Sequence, residues 1–162
     1  MLYLNFRPDT NDVVRRSLWE SYKRAEIGGW ATRASGEKNP AAYALDLAAH
    51  HFVLCPPGNG IDTHRLWETL YAGSVPVVLR DDALASFRDL PILFVESLAG
   101  LDRSFLENHL SSMRQRETPV LDKLFLPYWR GEIEKSRRTL GRKVSVPEFL
   151  REIFRARASR PE

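Results

Sequence analysis

Hydrophobic positions along this chain follow two rhythms. Largely apolar runs recur at Leu2–Phe6, interrupted by Asn5, and at Phe52–Cys55, Val75–Leu79 and Leu90–Val95, the length and density of buried strands. Between them, apolar residues return every three or four positions, as on a helix with one buried face. That spacing predicts helices over Val13 to about Arg24, over Ala41–Ala49, after Thr63 (Leu66, Leu70) and over Asp102–Arg116 (Phe105, Leu106, Leu110). Val120–Arg138 reads as a further helix that Pro127 must break or kink. Pro147 suits the first turn of a last helix running to Arg157. Asp81–Asp89 reads as a short helix or turn, Ile27–Trp30 as a loop or short strand, and Ala31–Lys38 as a small polar loop.

Strands alternating with helices predict an α/β class: a Rossmann-like parallel sheet with helices on both faces. Ligands in such sheets sit beyond the carboxyl ends of the strands. Asn5, Thr10 and Asn11 follow the first strand, and Asp81 and Asp82 follow Val75–Leu79, so all occupy that edge. They and Asp62 are candidates for lining a cleft, and Asp81 or Asp82 for meeting a sugar or a divalent ion. Turn formation and helix capping account for the same residue types.

The richest segment is Phe52–Leu79. Its first strand stops at Pro56-Pro57-Gly58-Asn59-Gly60, where glycines let backbone approach a ligand closely. Asp62 and Thr63 are N-cap types for the helix that follows, and Gly73 is a C-terminal stop. A glycine loop feeding a helix N-terminus presents free N–H groups and the positive end of the helix dipole, a ready site for a diphosphate. Gly58, Asn59, Gly60, Thr63, His64 and Arg65 are the candidate contacts. Arg65 conflicts mildly with the dipole in the first turn, and an anion there would remove the conflict. A plain surface pair with Glu68 is the competing role for Arg65.

The run Cys55–Val78, C-P-P-G-N-G-I-D-T-H-R-L-W-E-T-L-Y-A-G-S-V-P-V-V, resembles the nucleotide-sugar-binding motif of exostosin-like glycosyltransferases. That family runs, roughly, C/S-P-x-G-x-x-x-x-x-R-x-x-E-A-L-x-x-G-x-x-P-V, and Gly58, Arg65, Glu68, Gly73 and Pro76 fall in place. A looser likeness takes in Leu2–Phe6, Thr10-Asn11 and Arg15-Arg16, so the resemblance covers roughly residues 2–130. It implies the C-terminal half of a GT-B enzyme, with a nucleotide-sugar as donor substrate and a glycan or other hydroxyl as acceptor. It also implies inversion at the anomeric carbon and a ribose contact for Glu68. Such an enzyme needs two Rossmann-like domains, roughly twice this length. The expectation is therefore a fragment, a chain with a separate acceptor-binding domain or partner chain, or a nucleotide-sugar binder without catalysis. No residue stands out as the general base.

Charge divides the chain at about residue 130. Residues 130–162 hold ten Lys/Arg against five Asp/Glu, whereas residues 1–129 hold fourteen against sixteen. The expected organisation is a nucleotide-sugar-binding domain over 1–130 and a basic helical extension over 131–162, with a solvated basic face rather than a nucleic-acid site. A nucleic-acid or membrane-surface binder would leave the central motif unexplained. No apolar run approaches a membrane span, and MLYLNFRPDT lacks the features of a secretory signal. A cytoplasmic or membrane-peripheral location is the expectation for a complete chain. His50, His51, Cys55 and His64 lack zinc-ligand spacing. Cys55 reads as a small buried hydrophobe, and Tyr128 and Trp129 as core. A P-loop is absent, since no GxxxxGK[ST] occurs.

Overall fold

The computed structural model describes residues 1–34, 36–115 and 121–140, in two compact units, Met1–Leu124 and Phe125–Glu162. In the first unit the elements run β1 (Leu2–Leu4), α1 (Asp12–Ser21), α2 (Lys23–Ile27), β2 (Ala31–Arg33), α3 (Pro40–Ala48), β3 (Phe52–Leu54), α4 (His64–Tyr71), β4 (Val75–Leu79), β5 (Leu93–Val95) and α5 (Arg103–Arg114). Short 3-10 turns occupy Asp82–Phe87 and Asp122–Leu124. All five strands are parallel, in the order β2-β1-β3-β4-β5. This is the Rossmann-like α/β class expected from the alternation.

Side-chain alternation builds two cores on the two sheet faces. Leu2, Leu4, Phe52, Leu54, Val75, Val77, Leu93 and Val95 face Leu18 and Tyr22 of the α1–α2 region and Leu106 of α5. Tyr3, Val53, Cys55 and Val78 face Leu47 of α3 and Leu66 and Leu70 of α4. A strand buried on both sides has no polar face, which is why the sequence shows continuous apolar runs.

Pro76 sits inside β4 and lacks a backbone donor, yet no ladder bond is lost. Val75 N donates to His51 O on the β3 side, so the next residue turns toward β5. Pairing with β5 begins only at Val77, opposite Leu93. Gly73 ends α4 at φ 79°, the left-handed conformation that suits glycine after a helix.

Several expectations are corrected. Ala31–Lys38 is not wholly loop: Ala31–Arg33 pairs in register with Leu2–Leu4. Polar Thr32 and Arg33 are tolerated there because β2 is an edge strand. The helix expected over Val13–Arg24 is two, α1 and α2, broken at Tyr22. The Tyr22 ring is buried there and its hydroxyl donates to Leu98 O at 2.5 Å. Strands expected at Leu2–Phe6 and Leu90–Val95 contract to β1 and β5. Residues Leu90–Ile92 form a turn instead, with Ile92 N on Leu90 O at 2.7 Å.

In the second unit, α6 runs Leu126–Leu140. Pro127 neither breaks nor kinks it, because it falls in the first turn, where a missing N–H costs nothing. Trp129 is exposed rather than core. The helix expected over 147–157 lies outside the described residues. No helix among the described residues is long and apolar enough to cross a membrane.

Candidate functional site

The chain leaves β1 in one direction along the sheet toward β2 and later enters β3 on the other side of β1. Beyond the carboxyl ends of β1 and β3 the two loops therefore diverge, which opens a crevice at the point where strand order reverses. Two clefts lie there, about 680 and 490 Å3 in volume, and Arg65 and Glu68 line both. The smaller is further lined by Arg15, Asn59, Gly60, Asp62, Thr63 and His64. The larger takes in Asn5, Phe6, Trp19, Lys38 and Tyr43.

Arg15 was absent from the candidates and is the centre of the arrangement. It is 6% exposed. Its Nε donates to Pro57 O at 2.9 Å and its Nη2 to Pro56 O at 3.2 Å. A Cβ on Gly58 would lie 3.0 Å from Nη2, so a larger residue there would press on the guanidinium and displace it from its present position. No carboxylate neutralises Arg15 among the described residues. Its pKa is lowered, first by burial and then by the charge of Arg65. A sequence signal existed: Arg15, Leu18, Tyr22 and Ala25 share one helical stripe, and the last three are core. A charged residue on a buried stripe marks either a paired charge or a site.

Arg65 completes the cationic pair. Its side chain makes no hydrogen bond or ion pair with any described residue, and its Nε is buried without a partner. The surface pair with Glu68 does not form; Glu68 instead accepts from the Tyr43 hydroxyl at 3.0 Å. Thr63 is the N-cap residue of α4, yet its side chain makes no cap bond and its Oγ1 is also buried and unpartnered. Unsatisfied buried donors carry a desolvation cost in the folded state. Here they sit beside the first-turn N–H groups of His64 and Arg65, whereas that of Leu66 is bonded to Thr63 O at 3.0 Å.

The remaining candidates separate. Asn59, Gly60, Thr63, His64, Arg65 and Glu68 converge on the smaller cleft, and Asn5 lines the larger. Asn5 Nδ2 donates to the Tyr3 hydroxyl at 3.2 Å. Asp62 does not cap α4; its Oδ1 accepts from Trp67 Nε1 at 2.7 Å. Asn11 does not cap α1 with its side chain but donates to Gly58 O at 3.2 Å. Gly58 contributes shape rather than a donor, because its N–H is used by Gly60 O at 2.9 Å. The Thr10 methyl lies 3.9 Å from where a Gly58 Cβ would be. Asp82 points to solvent with Arg88 nearby at 3.8 Å, lining neither cleft, and Asp81 takes the cap role. Among the described residues no group of three or more His, Cys, Asp or Glu could hold a metal ion.

A part-buried polar network supports the larger cleft. The Tyr3 hydroxyl donates to Asp46 Oδ2 at 2.6 Å, and Lys38 pairs with the same carboxylate. The Lys38 and Tyr3 contacts hold the Asp46 pKa below the ordinary carboxylate value. A depressed folded pKa gives stability that is present above the unfolded value and lost as pH falls through the folded one. Acid unfolding followed by circular dichroism should therefore begin below about pH 4, and Asp46→Asn should flatten that decline. Cys55 behaves oppositely: burial pushes its thiol up to about 12. It should resist a thiol reagent at pH 8 in native protein and react fully once denaturant is added. Rapid native labelling would contradict the burial seen here.

No protein-family model matches the chain. Among curated proteins it is similar to a probable glucuronosyltransferase of Oryza sativa subsp. japonica, 35% identical over 76 residues, covering 47% of this chain and 16% of that protein. A probable glucuronosyltransferase of Physcomitrium patens is 27% identical over 132 residues, covering 78% of this chain and 24% of the relative. A probable beta-1,4-xylosyltransferase of Arabidopsis thaliana is 30% identical over 76 residues, covering 47% of this chain and 17% of the relative. The match thus spans at most a quarter of these proteins' length. These relatives are named as glycosyltransferases, and the chain is similar to a segment of each.

Proposed function

We propose that this chain is the donor-binding domain of a glycosyltransferase, and that the smaller cleft takes the diphosphate of a nucleotide-sugar. The observation that carries this reading is the pair of guanidiniums, Arg15 and Arg65, flanking a glycine loop and a helix N-terminus with no carboxylate partner among the described residues. Two cations on one cleft, neither of them ion-paired with a described residue, favour an anion of two charges in the space between them. The orphaned Thr63 Oγ1 and Arg65 Nε add polar groups for phosphate oxygens to satisfy. Glu68, oriented by Tyr43, stands where the two clefts join and suits the ribose hydroxyls, with the rest of the donor extending into the larger cleft.

In the transfer itself, the bond from the anomeric carbon to the diphosphate oxygen breaks as the acceptor oxygen bonds to that carbon. In this reading attack comes from the opposite face and inverts the centre. The acceptor proton passes to a base on a separate acceptor domain or chain. The leaving diphosphate gains negative charge as its bond breaks. Arg65 and the α4 N–H groups then act more strongly on the transition state than on the bound donor. Residues 1–130 serve as the donor domain and 131–162 as a basic extension.

Isothermal calorimetry of the folded chain against UDP, GDP and their sugar conjugates tests the reading. Micromolar binding of one nucleotide supports it and names the donor class. Absence of binding by a chain shown to be folded overturns it. Binding without transfer, once an acceptor domain is supplied, would identify a non-catalytic nucleotide-sugar module instead.

A further inference from the structure

The glycine loop is gripped from outside itself. Asn11 Nδ2 holds Gly58 O at 3.2 Å, Arg15 Nε holds Pro57 O at 2.9 Å and Arg15 Nη2 holds Pro56 O at 3.2 Å. Three successive carbonyls are thus captured by two side chains from the start of α1, more than 40 residues away in sequence. Asn11 does this from a left-handed backbone at φ 58°, the one positive φ outside glycine among the described residues. A left-handed asparagine is uncommon and is retained where surrounding contacts hold it.

The grip has a directional consequence. In a trans peptide the C=O and the following N–H point in opposite directions, and no described peptide is cis. Capture of Gly58 O therefore turns the Asn59 N–H away from Asn11. Pro57 has no N–H, and that of Gly58 is already bonded to Gly60 O. The Asn59 N–H has no acceptor among the described residues, and Asn59 and Gly60 are the loop residues that line the Arg65 cleft.

We propose that Arg15 and Asn11 are positioning residues for the diphosphate, a clamp that fixes the Pro56–Gly60 loop with its remaining donors, the Asn59 and Gly60 N–H groups, available to the Arg65 cleft. This rests on the donor-site reading above. Arg15 acts through the loop by the geometry of its planar fork, which bridges two neighbouring carbonyls; a lysine would keep the charge and lose the bridge. Asn11→Gly keeps the left-handed backbone without strain and removes only the amide donor.

Two measurements on the full chain test the clamp: hydrogen exchange of the Asn59, Gly60 and Ile61 amides without ligand, and calorimetric titration with UDP, GDP and the uncharged nucleosides. Arg15→Lys and Asn11→Gly should each speed loop exchange while the Val77 and Val78 amides in β4 stay as protected as before. Arg15→Lys should weaken diphosphate binding at least tenfold and Asn11→Gly threefold or more, with nucleoside binding unchanged. Unchanged loop exchange in both variants overturns the clamp, as does wild-type affinity in Arg15→Lys; in either case the donor site itself stands. If wild-type protein binds neither diphosphate, the donor-site reading fails and the clamp loses its role with it. Asn11→Gly keeps the test decisive should Arg15→Lys fail to fold.

Discussion

Replacing Arg65 with alanine should weaken nucleoside diphosphate binding by about ten- to a hundredfold and leave the free protein no less stable. A hydrogen bond to a charged group is worth about 1.5–3 kcal/mol, and each 1.4 kcal/mol is about tenfold in affinity. One charge-assisted contact from Arg65 thus accounts for the range. The stability half of the prediction follows from what Arg65 lacks. It has no hydrogen bond or ion pair with a described residue, its Nε is desolvated, and its charge opposes that of Arg15. Removing it takes away a cost without breaking a hydrogen bond or an ion pair to a described residue. Calorimetry with UDP or GDP and thermal melts of the free protein read the two halves separately. An Arg65→Ala protein that melts well below wild type would mean the side chain is structural.

Replacing Phe52 with alanine should cost about 3–5 kcal/mol, the range for truncating a buried phenylalanine. Phe52 is fully buried in β3, flanked by Leu2 of β1 and Val75 of β4. Its ring centroid lies 6.1 Å from that of His109 on α5. The surrounding strands are three to five residues long, so little backbone is free to shift into the cavity. Single domains are stable by only about 5–15 kcal/mol, so this one change removes a large part of the total. Urea unfolding should show a lower midpoint at an unchanged slope. Val13, 88% exposed on α1, is the control, and Val13→Ala should change stability by less than about 0.5 kcal/mol.

Much of the fold was legible because a buried parallel sheet leaves a plain mark: strands apolar on both faces, separated by one-sided helices. β3 and β4 read correctly for that reason. β2 did not, because an edge strand of three residues with Thr32 and Arg33 carries too little apolar signal to separate it from a loop. The break between α1 and α2 depends on Tyr22 reaching Leu98, a contact 76 residues away in sequence that no local pattern encodes. In the site, local cues located the glycine loop, Arg65 and Glu68. They left Asn11 and Asp62 open between capping and lining the cleft, because a polar residue before a helix serves equally well as a cap, a loop tether or an acceptor for an indole; Asp62 does line the smaller cleft. Arg15 went unnoticed as a site residue because its partners are backbone carbonyls, and carbonyls carry no residue identity to search for.

Pro76 has a bearing on how the sheet is guarded. Strands invite intruders wherever an unpaired N–H faces outward, and a second polypeptide can add itself along such a margin. At the start of β4 the flank toward β5 is not yet covered, since pairing there begins at Val77. A residue with a backbone donor at that position would offer a foothold for strand addition. Proline offers none. The residue that lets β5 begin late also withholds a point of attachment on that flank.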